Sequence, residues 1–276
     1  MSRVTARRKM LRVTPAAWIE RPDSLAVEEP LELRIDGEPL TVTMRTPGHD
    51  VDLAHGFLLS EGIVAAPGEI VSARYCAGTG ADGRNTYNVL DIRLRTPTTF
   101  SPRSFLTSSS CGLCGKAALD EVRTRSRLPL PLTGPELDPA VLSDLPRRLR
   151  ARQAAFDLTG GLHAAGLFTA DGSTVAVRED IGRHNAVDKV LGWALRENLL
   201  PAADLVLVVS GRASFELVQK AIMAGMPVLA AVSAPSSLAV DLAADAELTL
   251  AGFVRGHTMN VYTGLHRIRR GHGRPD

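Results

Sequence analysis

The chain has few cysteines, few lysines and no long apolar run. Only three cysteines occur in 276 residues, and so sparse and odd a set does not suit a disulfide-stabilised secreted protein. The basic N terminus is not followed by the apolar stretch of about 7 to 15 residues that a secretory signal requires. No run approaches the roughly 20 apolar residues of a membrane-spanning helix. We therefore expect reduced thiols, a cytoplasmic location and no membrane partner.

The net charge is small and unevenly distributed. The whole chain carries +2, but residues 1–12 carry +5 and residues 265–276 carry +3, which leaves −6 for the part between them. A nucleic-acid-binding domain would place a basic face on its folded core, so the acidic middle argues against a nucleic-acid partner. Only four of the 32 basic residues are lysines, an excess of arginine that is typical of coding bias.

The first hundred residues predict a small α+β domain. The length suggests one large or two modest domains, and 45% hydrophobic with 22% charged residues is typical of a globular protein. Residues 24–46 indicate an antiparallel hairpin with a turn at Gly37, and a short helix follows. Segments 69–76 and 86–95 indicate two more strands. We place this domain, with its basic N-terminal tail, at residues 1–104.

The remaining residues, 105–276, predict an α/β domain that carries the Cys-x-x-Cys loop. Residues 138–156 suggest a helix interrupted near Pro146, and residues 160–180 indicate two strands joined by a turn. From residue 185 onward, helices alternate with nearly continuous apolar strands. That alternation predicts right-handed βαβ units and a parallel sheet covered by helices on both faces.

Three loops of this predicted sheet pair a glycine with an arginine. Ligands of such sheets bind beyond the carboxyl ends of the strands, where glycine allows close backbone approach and arginine can bind phosphate. The loops therefore indicate a large anionic ligand such as a nucleotide, although ordinary turns in an arginine-rich chain would give the same pattern. None fits a dinucleotide-binding or P-loop signature. The pairs are Gly182 with Arg183, Gly211 with Arg212, and Arg255 with Gly256.

Two of the cysteines, Cys111 and Cys114, form a Cys-x-x-Cys pair in a segment rich in serine and glycine. A helix is predicted directly after them, and the partial positive charge of a helix N terminus stabilises a thiolate. Lys116 would add to this effect. Such a thiolate suits disulfide exchange, persulfide formation or metal binding. A flexible loop with an activated thiol also suits a sulfur carrier that must reach a donor protein and then a bound acceptor.

Other sites have weaker support. Structural zinc requires four ligands, and beyond the cysteine pair only Cys76 and scattered histidines remain. A thioredoxin-type pair would follow the first strand of its own βαβ unit. This pair instead follows a serine-rich segment between the two predicted domains, which argues against a thioredoxin-type site. We expect Cys76 to be a small buried residue at a strand end. His163 and His184 are expected to be hydrogen-bonded residues that place turns, with catalysis as the alternative.

Six segments together resemble the formate dehydrogenase accessory sulfurtransferases. The match spans roughly residues 30 to 265 and leaves out both basic termini. In chain order the segments are TPGHDVDLAHGFLLSEGIV, SSSCGLCGK, GGLHAAGLF, REDIGRHNAVDKVLG, SGRASFELVQKA and GFVRGHTMNVYTG.

The resemblance implies a carrier that takes sulfur from a cysteine desulfurase as a cysteine persulfide. The carrier would deliver it to the bis(molybdopterin guanine dinucleotide) molybdenum cofactor before insertion into formate dehydrogenase, and would hold no metal tightly itself. The resemblance also implies a three-layer, cytidine-deaminase-like fold for residues 105–276 and a homodimer. Carried over by position, the persulfide falls on Cys111, with Cys114 as its partner. The cofactor-binding stretch falls on Phe253, Val254, Arg255, Gly256, His257 and Thr258.

Two other functions remain open. The chain could instead act as a chaperone that binds the cofactor or the dehydrogenase, with the cysteines serving only for docking or metal retention. A zinc hydrolase on the deaminase scaffold is disfavoured. The deaminase signature places a glutamate two residues after its histidine and a cysteine pair later in the chain. Here Ala165 occupies the glutamate position after His163, and the cysteine pair comes earlier.

Overall fold

The structure, a computed structural model, describes residues 4–76, 86–97, 122, 126–131 and 134–270. Within these ranges the chain forms three β-sheets and six α-helices. The cysteine pair that the sequence analysis assigned to sulfur chemistry lies outside the described residues.

The basic N-terminal segment forms a strand. β1 (Thr5–Val13) pairs with β2 (Trp18–Ala26) in an antiparallel two-stranded ribbon that places Val13 opposite Trp18. The sequence analysis treated this segment only as a basic tail, because its run of charged residues shows no regular apolar alternation. The structure therefore adds a pair of strands ahead of the predicted hairpin.

The smaller sheet comprises β3 (Glu29–Ile35), β4 (Glu38–Arg45), β5 (Ile70–Tyr75) and β6 (Val89–Leu94). Its strand order is β4-β3-β6-β5. The predicted turn joins β3 to β4, and both Asp36 and Gly37 have positive φ there, as a tight hairpin turn requires. Helix α1 (Asp50–Ser60) follows and buries its apolar side chains in the same core.

The larger sheet comprises β7 (His163–Thr169), β8 (Thr174–Asp180), β9 (Leu205–Val209), β10 (Val228–Ala231), β11 (Thr249–Arg255) and β12 (Thr258–Thr263). Its strand order is β12-β11-β10-β9-β7-β8. β9, β10 and β11 are parallel, as predicted. Antiparallel hairpins form both ends of the sheet, and one of their strands, β12, was not predicted.

Five further helices in the described residues are α2 (Pro139–Arg150), α3 (Ala154–Thr159), α4 (Arg183–Arg196), α5 (Phe215–Met223) and α6 (Ser237–Asp245). α4, α5 and α6 pack on one face of the larger sheet, and α2 packs on the other. The arrangement has three layers and confirms the predicted α/β class. A specific likeness to cytidine deaminase stays a prediction. No helix of the described ranges combines the length and hydropathy needed to cross a membrane.

Helix α2 corrects one prediction. It continues without a break through Pro146, where the sequence suggested an interruption. A proline inside a helix costs about 3 kcal/mol, chiefly because it removes a hydrogen bond and crowds the preceding turn. Leu142, Leu145 and Leu149 are buried against the larger sheet. Their burial contributes about 1.5 to 3 kcal/mol each, which outweighs the cost of the proline.

Helices α1 and α4 connect the two sheets through unusually close packing. A Cβ atom at Gly56 would lie 1.8 Å from the carbonyl oxygen of Asp188, and one at Gly192 would lie 1.8 Å from that of Asp52. The apolar core continues across this contact from the smaller sheet to the larger one. The predicted domain boundary near residue 104 falls outside the described residues, so the division into two domains stays a prediction.

A buried carboxylate reinforces the contact between α1 and α4. Asp52 on α1 accepts hydrogen bonds from Arg178 on β8 at 3.0 and 3.1 Å, and from Arg196 on α4. Burial alone would raise the pKa of Asp52, but hydrogen bonds from His49, Arg196 and Arg178 lower it to about 2. Asp52 is therefore ionised near neutral pH and ties α1 to both α4 and β8.

Candidate functional site

The carboxyl ends of four strands meet at one edge of the larger sheet. β7 is antiparallel to both β8 and β9, and β9, β10 and β11 are parallel. It follows that β8, β9, β10 and β11 all run in the same direction. The three segments with a glycine beside an arginine lie at this edge, where ligands of open α/β sheets bind. Their predicted common location is therefore confirmed.

A cavity of about 820 Å³ opens at this edge. Residues at strand ends form one wall, and helix α2 with Phe156 of α3 forms the opposite wall. The volume lies within the range of roughly 300 to 1,000 Å³ that is typical of small-molecule sites, so a nucleotide-sized ligand has room. The strand-end and turn residues of the wall are His163, Ile181, Ser210, Val232, Val254, Arg255, Gly256 and His257.

The predicted cofactor-binding stretch, residues 253–258, is a β-hairpin rather than an open loop. β11 ends at Arg255, and β12 begins after a two-residue turn. The pairing shifts register just before Arg255, where Phe253 has a φ of 52°. This irregularity leaves Phe253 exposed and buries Val254. Unlike the other two predicted loops, the stretch offers no helix N terminus, so its capacity to bind an anion rests on side chains and the turn.

Arg255 is the cationic side chain most available to a ligand in the cavity wall. Arg147 on the opposite wall pairs with Asp144 at 2.6 Å, and Arg150 pairs with Asp157 at 2.6 Å. Arg255 is exposed and forms no ion pair with any described residue. Its guanidinium can therefore bind a phosphate without first breaking an existing salt bridge.

The loop after β8 is positioned by a buried ion pair. Asp180 is fully buried and lies 2.7 Å from Nζ of Lys189 on α4. Its carboxylate also accepts hydrogen bonds from the backbone N–H groups of Gly182 and Thr46, at 2.8 and 3.1 Å. Arg183 comes next and begins α4, and its Nε atom is buried without a hydrogen-bond partner among the described residues. The ion pair thus links the cavity edge to β4 and to α4.

The loop after β9 lies beside His163. A Cβ atom at Gly211 would be 3.5 Å from Nδ1 of His163, so glycine leaves space for the imidazole. Ser210 anchors the start of the loop, because its Oγ accepts a hydrogen bond of 2.9 Å from the backbone N–H of Ala164. Some predicted ligand residues lie at the same edge but outside the cavity wall: Arg183, Gly211, Arg212, Phe253 and Thr258.

The sequence analysis did not assign His163 to the ligand site. The residue begins β7 and lines the cavity. Burial lowers its pKa, and the nearby charges of Arg183 and His184 lower it further. An unperturbed histidine has a pKa near 6.5, so His163 is neutral at pH 7. The only sequence signal was the pair of glycines before it, which line the same cavity.

Cys76 is the one cysteine within the described residues. It follows β5 directly and is partly exposed. The prediction of a buried cysteine at a strand end is therefore right about its position and wrong about its burial. Because its thiol is free among the described residues and Cys76 is not part of the Cys-x-x-Cys motif in the sequence, Cys76 provides an internal control for sulfur chemistry.

Comparisons with known proteins place these features in a family. The model of the FdhD/NarQ family matches residues 26–269. A relative named "Sulfur carrier protein FdhD" from Nocardia farcinica is 69% identical over 267 residues, which cover 97% of this chain and 96% of the relative. One of the same name from Streptomyces coelicolor is 59% identical over 273 residues, 97% of each chain. The resemblance found in the sequence is confirmed.

A solved structure supports the fold. The crystal structure of a putative formate dehydrogenase accessory protein from Desulfotalea psychrophila aligns with 97% of this chain and 100% of its own, at a TM-score of 0.75. The sequence identity is 23%. This likeness therefore concerns the overall architecture of the two proteins.

Proposed function

Because the chain belongs to the FdhD/NarQ family, we propose that it is a sulfur carrier for a formate dehydrogenase. It accepts sulfur from a cysteine desulfurase as a persulfide and transfers it to the bis(molybdopterin guanine dinucleotide) molybdenum cofactor, which is its bound client. The chain works in the cytoplasm as a homodimer. The observation that carries the proposal is the cavity at the carboxyl edge of the larger sheet, with Arg255 free to bind an anion.

The cavity suits the nucleotide part of such a client. Arg255 can donate two parallel hydrogen bonds to a phosphate, and Gly256, the first residue of the adjoining turn, adds no side chain that would block the approach. His163 is neutral at pH 7, so it acts as a hydrogen-bonding group rather than as a second positive charge. Pro146 of α2, Phe156 of α3 and Ile181 are partly exposed in the cavity wall and supply apolar contact surface for a planar base.

The proposed sulfur chemistry uses both thiols of the Cys-x-x-Cys pair. The Cys111 thiolate attacks the outer sulfur of the donor persulfide, which forms the Cys111 persulfide and releases the donor as a thiolate. Once the client cofactor is bound, the Cys114 thiolate attacks the inner sulfur, so that a Cys111–Cys114 disulfide forms and the outer sulfur leaves as hydrosulfide. The two thiols thus supply the two electrons that reduce the transferred sulfur to sulfide, the form in which molybdenum would receive it.

Replacing Cys111 with alanine is expected to abolish persulfide formation on the carrier. The chain would be incubated with a cysteine desulfurase and cysteine, and intact and peptide masses would be measured. We expect the wild-type chain to gain the mass of one sulfur atom on the peptide that contains residues 108–116. The Cys111→Ala chain should gain none, because the attacking thiolate is missing.

The Cys76→Ala chain is the matched control and should gain sulfur as the wild type does. Equal sulfur loading of the Cys111→Ala chain would contradict the proposed role. If that variant also produced an active, normally sulfurated dehydrogenase, the chain would be a chaperone that transfers no sulfur.

Replacing Arg255 with alanine is expected to weaken guanosine diphosphate binding at least tenfold. A hydrogen bond to a charged group contributes about 1.5 to 3 kcal/mol, and Arg255 has no competing ion pair to release. Isothermal titration calorimetry gives the dissociation constant. Arg93→Ala, which removes an exposed arginine from β6, should leave it unchanged. Equal weakening by both changes would mean that binding depends on net charge and not on this cavity.

A further inference from the structure

The N-terminal ribbon is an addition to the part that the family shares. The family match begins at residue 26, where β2 ends, so β1 and almost all of β2 precede it. The Nocardia and Streptomyces relatives align over 97% of this chain, which includes most of the ribbon. The ribbon is therefore not required for the common scaffold, yet these relatives retain a corresponding segment.

The ribbon exposes apolar side chains near its tip, three of them on one face and Ile19 (52% exposed) on the other. Leu11, Val13 and Trp18 are 49%, 58% and 73% exposed. Val13 and Trp18 are directly opposite each other in the antiparallel register, and Leu11 lies two residues away on the same face. A tryptophan that is so exposed leaves a large apolar area in water, and such areas mark interaction sites.

The same ribbon is strongly basic. Residues 5–26 contain five basic and two acidic residues, a net charge of +3. Arg7, Lys9 and Glu20 lie on the face of Leu11, Val13 and Trp18, and Arg8, Arg12, Arg21 and Asp23 lie on the other face, so each face carries a net positive charge. Two such ribbons would repel each other, which argues against a second copy of the chain as the partner. A flat lipid surface could contact only one face, although basic residues project from both faces, which argues against a membrane. The charge therefore favours an acidic protein surface as the partner.

The ribbon also lies next to the cavity. β1 and β2 contact helix α3, whose Phe156 forms part of the cavity wall. A protein that binds the ribbon would be held close to the place where the client cofactor is proposed to bind. The protein that must come to this place is the one that receives the cofactor.

We propose that the ribbon is a docking arm for the cofactor-free formate dehydrogenase, which it binds through an apolar patch bordered by acidic residues. Trp18 and Val13 form the apolar anchor, and Arg7 and Lys9 provide the charge attraction. The identity of the partner rests on the proposed function, whereas the existence of the docking surface rests on the ribbon itself. Docking at this position brings the acceptor enzyme to the cavity without using any residue of the cavity wall.

The test compares the affinity of variants for the purified cofactor-free dehydrogenase by biolayer interferometry. Trp18→Ala should weaken binding at least tenfold, since aromatic anchors at an interface carry much of its affinity. Leu265→Ala, a similarly exposed apolar residue (59% exposed) away from the ribbon, should have no effect. The Arg7→Ala/Lys9→Ala double variant should bind more weakly at low salt and lose most of the salt dependence.

Further measurements separate this proposal from the proposed function. Trp18→Ala should keep its affinity for guanosine diphosphate and its persulfide loading. A wild-type chain that binds the dehydrogenase but carries no sulfur would overturn the carrier function and leave the docking arm intact. Unchanged dehydrogenase affinity in Trp18→Ala would overturn the docking arm. A Trp18→Ala chain that sediments as a monomer where the wild type is a dimer would also overturn it, since the ribbon would then bind a second copy of the chain. So would a wild-type chain that binds phosphatidylglycerol vesicles when Trp18→Ala does not, since the ribbon would then bind a membrane.

Discussion

The Gly192→Ala variant is expected to lose at least about 3 kcal/mol of its free energy of unfolding, and much of it should fail to fold. Adding bulk to a packed core typically costs about 1 to 3 kcal/mol, occasionally more. Here the new methyl group would meet the backbone carbonyl of Asp52 at 1.8 Å. Because no rotamer change can relieve a clash with a backbone atom, α1 and α4 would have to separate. The free energy is measured by chemical denaturation followed by circular dichroism.

Two comparison variants make this expectation specific. Gly56→Ala should have a similarly large effect, because a methyl group there would meet the carbonyl oxygen of Asp188 at 1.8 Å. Gly68→Ala adds the same methyl group where no heavy atom lies within 4 Å, so its stability should stay within about 0.5 kcal/mol of the wild type. A stable Gly192→Ala variant would show that the two helices are not in such close contact.

Replacing Lys189 with methionine is expected to cost about 3 to 5 kcal/mol of the free energy of unfolding. Methionine fills a similar volume but leaves the Asp180 carboxylate buried without its cation. Lys189 is 1% exposed and Asp180 is fully buried, so water cannot take over the role of the ammonium group. The loop before α4 should also loosen, since Asp180 binds the backbone N–H of Gly182. Denaturation gives the stability, and hydrogen exchange at Gly182 reports on the loop.

The double variant Asp180→Asn/Lys189→Met tests whether the unpaired charge causes the loss. A neutral asparagine can still accept the backbone hydrogen bonds, so the double variant should recover part of the stability that Lys189→Met loses. If the double variant is as unstable as the sum of its single changes, the ammonium group acts mainly through its hydrogen bond to the carbonyl oxygen of Thr46.

The parallel part of the larger sheet could be predicted from local sequence signals. β9, β10 and β11 are apolar runs buried by helices on both faces, and glycine and polar residues separate them from the intervening helices. These local patterns also placed the three pairs of glycine and arginine at one edge. The direction of a strand follows from its connection, so the edge where the cavity lies could be inferred without knowledge of long-range contacts.

Long-range contacts explain what the sequence did not reveal. β12 is half-exposed and polar, so it lacks the apolar run of a central strand and becomes a strand only by pairing with β11. α2 tolerates Pro146 because its leucines pack against strands of the larger sheet that come later in the sequence. Lys189 meets the Asp180 carboxylate only because α4 packs against β8 and the end of β4, which the local sequence does not indicate. His163 belongs to the cavity only because the loop after β9 folds beside it.

The cavity draws its wall from five separated parts of the chain: residues 143–163, 181, 210, 232 and 254–257. An unfolded chain scatters these parts, so a ligand of the cavity recognises the native state alone. Occupancy must then raise resistance to denaturation, by about 2.7 kcal/mol when the free ligand exceeds its dissociation constant a hundredfold. A ligand-bound form of the protein is consequently more stable than the ligand-free form, and the added stability is lost when the ligand dissociates.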